Sequence, residues 1–351
     1  MRYGLPYKGS KNAIAKWIVS NLPSADTFVD LFCGGGAVTH CAILSGKWKR
    51  FIMNDIDGRL PILFKDCVYG KYTVENRREW VDRETFNRLK DKDAYIALVW
   101  SFGNNGKDYI YGAKIEQFKK DYHRAVYSND ASLLKKYGYE IEPSKSKDVY
   151  GRYLEFNRQI KKIARNDLDI LSRQIEIQRL QSLQSLQRLQ RLQSLQSLQS
   201  LQSTQGLQSI QGLGVDYRSV KIPNDAVIYC DIPYEGTNCG KYQGFNHGEF
   251  YEWAEWQDNI FISEYQMPEN FIPIAKTEKS VLSAANSNSK VATEYLFTNR
   301  KTYNRFSKER KEKIGLEMAS QLSLCNLGIR EFKGCLTESC VNCWNTPIEE
   351  E

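Results

Sequence analysis

The apolar positions of this chain recur with two different periods, and the alternation between them outlines an α/β fold. Ala13 to Asn21 carries Ile14, Trp17 and Ile18 at helical spacing, which predicts a helix. Thr27–Phe32 is a short apolar run of the kind a buried strand makes, and Gly34, Gly35 and Gly36 break it. Ala37 to Leu44 predicts a second helix, and Phe51–Met53 a second strand that ends in Asn54 and Asp55. Strand, glycine turn, helix, strand and acid is the order of a nucleotide-binding βαβ unit. Far downstream the pattern returns. Strands are predicted at Ala226–Cys230, Asn259–Ser263 and Thr293–Thr298, and the first of these runs into Asp231-Ile232-Pro233-Tyr234.

Between the two blocks the chain changes character. From about Tyr69 to Asp169 it is polar, basic and aromatic, with Trp100, Phe102, Tyr109, Tyr111, Phe118 and Tyr122 interleaved with lysines. Trp80–Lys90 and Ile115–Val126 are predicted amphipathic helices in a mostly helical insertion. Residues 180–212 repeat Leu-Gln-Ser and Leu-Gln-Arg triplets. A three-residue period spirals around an α-helix and builds no stripe, so the tract is no heptad coiled coil. Gln and Leu tolerate a helical arm, but a variable, partly disordered insertion is the preferred expectation. The organisation that follows is a main domain split into residues 1–66 and 220–334, an insertion over 67–175, a low-complexity tract over 178–213 and a cysteine-containing tail over 335–351.

Composition refines this picture only a little. The chain has 351 residues, 41% hydrophobic and 26% charged, and contains no apolar run of membrane-spanning length and no signal peptide. A cytoplasmic location is expected, with no membrane partner. The net charge of +7 is uneven: residues 71–170 hold 21 Lys and Arg against 16 Asp and Glu. A second basic run comprises Arg300, Lys301, Arg305, Lys308, Arg310, Lys311 and Lys313. Such patches suit a polyphosphate partner, although solvated helix faces look the same. The nine cysteines are scattered and are expected as free thiols. Cys325, Cys335, Cys340 and Cys343 cluster near the end, but their spacing does not match a paired zinc site, and no metal is assigned.

Two motifs carry chemistry. In Phe28-Val29-Asp30-Leu31-Phe32-Cys33-Gly34-Gly35-Gly36 an acid closes a strand before three glycines. A dinucleotide fingerprint would place a glycine at position 39, which is Thr39, and no Gly-Lys-Ser/Thr follows for a P-loop. The acid argues for a cationic ligand, and the sulfonium and amino groups of S-adenosylmethionine fit that demand. Asp55 is placed to accept ribose hydroxyls. A plain tight turn of an α/β fold is the alternative. In Asp231-Ile232-Pro233-Tyr234 a carboxylate and the next carbonyl can accept both hydrogens of an exocyclic amine, freeing its lone pair for attack. Tyr234 can stack on a base rotated out of a duplex. Here the alternative is a proline-terminated strand.

Taken together, Tyr7-Lys8-Gly9-Ser10-Lys11, Phe28 to Gly36 and Asp231 to Tyr234 resemble the Dam-type family of DNA adenine-N6 methyltransferases in its α-type order. The resemblance covers residues 1–66 and 222–300. It implies a Rossmann-like methyltransferase sheet with helices on both faces, a target-recognition insertion, and double-stranded DNA as partner. By resemblance Tyr7 and Lys11 border the cofactor and the target base. Asp30, Phe32, Gly34 and Gly36 line the methionine end of S-adenosylmethionine, with Asp231 beside it, and Asp55 holds its ribose. Asp231, Ile232, Pro233 and Tyr234 form the catalytic tetrapeptide, and the transfer is direct, with no metal. The insertion's basic and aromatic residues are expected to grip phosphates and read base edges, with Ser101–Tyr109 as counterpart of the family's reading loop. Phe245, Asn246 and His247 fall where the family has a loop closing over the base, although His247 by itself reads as a solvated loop histidine.

Ile232 departs from the family's first proline. It keeps the carbonyl and gives up some rigidity. Rival readings keep the fold and change the acceptor to cytosine N4, RNA adenine or a protein amide, or make the chain a non-catalytic DNA-binding module. The acid at 231 leans toward adenine. No nuclease motif is present, so a restriction endonuclease acting on the same site would be a separate protein; an unpartnered enzyme of a phage or mobile element fits equally.

Overall fold

The computed structural model describes residues 3–7, 9–73, 77, 79–166, 187–234, 244–282 and 289–306. Its strands are β1 (Thr27–Asp30), β2 (Arg50–Asn54), β3 (Ser209–Leu213), β4 (Val227–Cys230), β5 (Ile260–Glu264), β6 (Phe271–Leu282) and β7 (Ser289–Asn299). They form one sheet in the order β3-β2-β1-β4-β5-β7-β6. The first five run parallel, and β7 lies antiparallel between β5 and β6. Every residue of β1, β4 and β5 is buried, as parallel strands covered on both faces must be.

Alternation along each strand feeds two cores. Phe28, Phe51, Tyr229 and Phe261 join α1 (Ala15–Asn21), α2 (Ala37–Ser45) and α3 (Arg59–Val68) on one face. Val29, Ile228, Ile260 and Ile262 face α9 (His247–Glu255) through Phe250 and Ala254 on the other. Fully burying each such side chain contributes about 1.5–3 kcal/mol. This is the Rossmann-like sheet with helices on both faces. Strand order reverses between β1 and β4, and crevices at the carboxyl ends of such a switch point are where α/β sheets bind ligands. Both sequence motifs emerge there.

The chain between β2 and β3 holds α4 (Arg83–Leu89), α5 (Ala94–Val99), α6 (Ala113–Ser128), α7 (Val149–Asn166) and α8 (residues 187–197). The aromatics of this insertion were expected on DNA, and most of them are core instead. Trp100, Tyr109, Tyr111 and Tyr122 are buried, and Trp80 stacks on Tyr111 with ring centroids 5.3 Å apart. Phe102 is the exception at 53% exposed. It sits on a hairpin tip where Ser101 bridges Tyr109 and where Gly103, Asn104 and Gly106 all take positive φ.

The triplet tract also differs from expectation. Residues 187–213 are ordered and carry part of the core: Leu189, Leu192, Leu195, Leu198 and Leu201 are all buried. After α8 the helix tightens to a 3-10 turn at Leu198–Ser203, packed on α3 and α2. A 3-10 helix has three residues per turn, so a three-residue repeat becomes a straight stripe. The serine hydroxyls of Ser197, Ser200 and Ser203 each donate to the carbonyl three residues back, reinforcing that geometry. The tract then forms β3, a strand the sequence reading did not anticipate, as it did not anticipate β6. Residues 180–186 lie outside the described part.

Where the repeat replaces serine by arginine, it docks. Arg191, buried on α8, donates from Nη1 to the carbonyls of Leu98 (3.3 Å), Val99 (3.1 Å) and Ser101 (2.6 Å), capping the carboxyl end of α5. Burial pushes its guanidinium down to about 10, with Tyr111 opposing. Arg191→Met leaves those carbonyls unsatisfied and is expected to cost about 2–3 kcal/mol, read as a lower urea midpoint at unchanged slope.

Residues Met1–Asn299 form one compact unit and Arg300–Glu351 a second. The second is described only over residues 300–306, which are helical. The remainder of the second basic run and the cysteine tail lie outside the described residues. Cys33, Cys41, Cys67 and Cys230 are buried free thiols. Among the described residues no helix is long and apolar enough to cross a membrane.

Candidate active site

The glycine turn after β1 is pinned to both neighbouring strands. Leu31 N donates to Tyr229 O (3.0 Å), and Cys33 N donates to Asn54 O (2.8 Å). Gly36 takes φ +67°, and a Cβ there would stand 2.6 Å from Met53 Cε and 2.8 Å from Phe64 Cδ2. A Cβ on Gly35 would meet Tyr7 Cβ at 2.6 Å, and Gly34 lies under the Tyr7 ring. Tyr7 thus covers the turn, and Leu5 N donates to Gly35 O (2.7 Å) to hold the N-terminal segment there.

Two carboxylates flank the turn. Asp30 is buried, and its Oδ2 accepts from Thr39 Oγ1 at 2.7 Å, while among the described residues Oδ1 has no hydrogen-bond partner. Burial pushes its carboxyl up to about 7; the Thr39 hydroxyl opposes this, and Asp231 and Asp55 add to it. An orphaned, buried, charge-starved oxygen is what an ammonium or sulfonium group would satisfy. Asp55 Oδ2 accepts from Gly34 N (2.9 Å) and Oδ1 from Asp57 N (2.8 Å). Phe32, half-buried, meets the rings of Tyr217, Phe245 and Phe250 at centroid distances of 5.5, 5.6 and 5.7 Å.

Lys11 gathers the second motif. Its Nζ lies 2.8 Å from Asp231 Oδ1 and 2.8 Å from Glu294 Oε1, donates to the Tyr234 hydroxyl, and sits 4.2 Å from the Tyr234 ring centroid. Burial alone would lower the Lys11 ammonium, but the two carboxylates overcome this and hold it above the ordinary lysine range. The Tyr234 hydroxyl donates to Glu294 Oε1 at 2.5 Å. Burial, then Asp231 and Glu294, push that phenol far up, so it stays protonated. Tyr265 lies beside the Tyr234 ring at 4.4 Å. Of the acids, Glu294 is fully buried, whereas the Asp231 side chain is 23% exposed and so is the one a substrate can reach.

Ile232 is buried in the core against α9, so packing supplies the rigidity that the missing proline would have given. His247 is not a solvated loop residue. It opens α9, which Asn246 caps by accepting from Glu249 N, and its Nε2 bonds the Pro233 carbonyl at 2.7 Å. Residues 235–243 lie outside the described part.

The structure thus brings Tyr7, Asp30, Gly34, Gly36 and Asp55 to the turn, and Lys11, Asp231 and Tyr234 to a buried network beside it. Glu294, Thr39 and Tyr265 were missed. The one available signal for Glu294 was an acid inside the otherwise strand-like TEYLFT run. Glu294→Gln keeps the shape and removes one counter-charge of Lys11. It is expected to lower kcat about tenfold with KM for DNA little changed, measured by steady-state methylation.

The family model of the D12 class N6 adenine-specific DNA methyltransferases matches residues 7–187, just over half of the chain. That match spans Tyr7, Lys11, the glycine turn, Asp55 and the helical insertion; Asp231 to Tyr234 lie beyond it. No curated protein matches the chain.

Proposed function

The chain belongs to the D12 class of N6 adenine-specific DNA methyltransferases, and from that premise we propose that it takes the methyl group from S-adenosylmethionine and delivers it to an adenine flipped out of the duplex. Methylation of adenine in DNA is the family's activity. The observation that carries the finer reading is the Lys11 network, which joins the N-terminal segment, Asp231 and Tyr234 next to the orphaned Asp30 oxygen.

S-adenosylmethionine, when bound, supplies an electrophilic methyl group on a sulfonium. Asp30 Oδ1 is the acceptor for its cationic end, Asp55 for its ribose hydroxyls, and Tyr7 and Phe32 supply the apolar walls. Asp231 and the Ile232 carbonyl accept the two hydrogens of the adenine N6 amine. With both held, the nitrogen lone pair leaves conjugation with the ring and points at the electrophile. Once the nitrogen gains the methyl carbon and sulfur keeps the former carbon–sulfur pair, the nitrogen would carry a surplus proton, which the Asp231 carboxylate would receive. Lys11 keeps Asp231 ionised until then, and Glu294 shares the Lys11 charge so that Asp231 is not fully neutralised. Tyr234, its hydroxyl fixed by Glu294 and Lys11, offers its ring to the flipped base, which returns about 1–3 kcal/mol of the flipping cost.

Target reading belongs to the insertion. The hairpin tip, with Phe102 and Lys107 exposed and Asn104 and Asn105 half-buried, is the part we assign to base edges, and the remaining basic side chains serve phosphates. An endonuclease of matching specificity is compatible with this reading and is not needed for it.

Two solution measurements test the finer reading. Transfer of tritium from methyl-labelled S-adenosylmethionine to duplex DNA tests the donor. A rise in fluorescence of 2-aminopurine at the target adenine tests flipping. Label transfer without a fluorescence rise would leave the donor and overturn the flipping.

A further inference from the structure

The N-terminal segment that carries Tyr7 and Lys11 crosses the glycine turn like a strap, and one buried side chain outside both motifs fastens it. His40 lies in the first turn of α2 and is 4% exposed. Gly4 N donates to its Nδ1 at 2.9 Å. A main-chain N–H on that nitrogen requires Nδ1 to be an acceptor, so the neutral ring carries its proton on Nε2. Burial keeps the ring neutral by pushing the imidazole down to about 4. Tyr3 meets the same ring edge-on, with centroids 5.3 Å apart.

The residues on either side of Gly4 are held as closely. Tyr3 O accepts from Asn12 Nδ2 at 2.9 Å, which ties Tyr3 to the 3-10 turn that carries Lys11. Leu5 N is the group bonded to Gly35 O. Gly4 itself takes φ +73°, and a Cβ on it would stand 2.5 Å from Gly35 O and 2.7 Å from Ala37 N. The strap therefore rests on the backbone of the turn. Thr39, next to His40, holds Asp30 Oδ2. One turn of α2 thus secures both the acid assigned to the cofactor's cationic end and the strap that covers the turn.

We propose that His40 is a positioning residue for cofactor binding: by accepting the Gly4 N–H it keeps the strap seated, so that Tyr7 lies over Gly34 and Gly35 before the ligand arrives. The inference rests on the S-adenosylmethionine reading above. His40 acts only through Gly4 and touches neither cofactor nor base. Without the acceptor a buried N–H is left unpaired, the strap lifts in the empty protein, and binding has to seat it again. The cost therefore falls on affinity. Once the cofactor is bound the strap is back in place, and Lys11 keeps its own partners Asp231 and Glu294, so the chemical step changes little.

The test is steady-state methylation by the full chain beside calorimetric titration with S-adenosylmethionine. His40→Phe keeps a buried ring of similar size and removes the acceptor. It is expected to raise both KM and Kd for S-adenosylmethionine about tenfold, with kcat at saturating cofactor within about threefold of the unaltered chain. His40→Asn puts Oδ1 where Nδ1 stood and is expected to restore most of the affinity. A loss of folded protein would lower kcat and leave KM alone, so the split separates positioning from stability. Should His40→Phe fail to fold, Gly4→Ala, which pushes the strap off the turn and leaves His40 intact, must show the same rise in KM and Kd. Unchanged KM and Kd in the variant that folds, or equal weakening in His40→Phe and His40→Asn, would overturn the proposal. Failure of the unaltered chain to bind S-adenosylmethionine would overturn the donor reading and the proposal with it.

Discussion

Asp231→Ala is expected to lower kcat by about 10³-fold or more, while affinity for S-adenosylmethionine changes far less. Asp231 is the exposed member of the Lys11 network and the only carboxylate in it that an amine can reach. Without it one amine hydrogen has no acceptor, the lone pair stays conjugated and the departing proton has no receiver. The fold is expected to survive, because Lys11 keeps Glu294 at 2.8 Å and its bond to the Tyr234 hydroxyl. The comparison is single-turnover methylation beside calorimetric cofactor binding. A variant that binds cofactor and still methylates at the original rate would remove Asp231 from the chemistry.

The second large effect is a pH dependence of cofactor binding set by Asp30. Its carboxyl is raised from the ordinary 3.8 to about 7 in the cofactor-free fold. Between these values the folded chain holds a proton that the unfolded chain has lost. This group's contribution to stability is therefore present at low pH and fades as pH rises toward 7. Binding runs the opposite way, because a cationic ligand needs the ionised carboxylate. Affinity is expected to rise at most tenfold per pH unit, about 50-fold from pH 5 to pH 7 as the ionised fraction goes from about 1% to about one half, and to flatten above that. Asp30→Asn should abolish the slope and weaken binding at pH 7. Titration calorimetry across this window checks it, below the range where the ligand's own amino group loses its proton. A flat profile in the unaltered chain would show that Asp30 does not meet the cationic end.

What the sequence made legible, and what it hid, follows from burial. β1, β4 and β5 are central and covered on both faces, so their apolar runs are unbroken and were readable at once. β3 and β6 are the sheet's two edges. β3 buries Ile210 alone among its five residues, and β6 contains Pro273, which an edge tolerates because one side of it has no ladder to donate to. The triplet tract misled because its period was judged against an α-helix alone, whereas Leu198–Ser203 form a 3-10 turn. Its α-helical part is enclosed by the insertion and by the sheet's helices, so leucines pointing several ways are all buried. The insertion's aromatics misled in the other direction: Trp100 and Tyr122 look like base-stacking residues until their neighbours are known.

The site divides in the same manner. Residues adjacent in sequence, from Asp30 to Gly36 and from Asp231 to Tyr234, announced themselves by motif. Glu294 did not, because its partners are Lys11 at the opposite end of the chain and Tyr234 on another strand's end, and only the β5–β7 pairing brings them together. His247 was misjudged for the same reason. Its partner is a main-chain carbonyl, which no side-chain pattern reveals.

The most direct test of the account is single-molecule sequencing of plasmid DNA from a methylation-deficient host expressing the chain, beside the Asp231→Ala control. N6-methyladenine at one short sequence, absent in the control, is the expected result. The same methylation in the control, or modification of a different base, would contradict it.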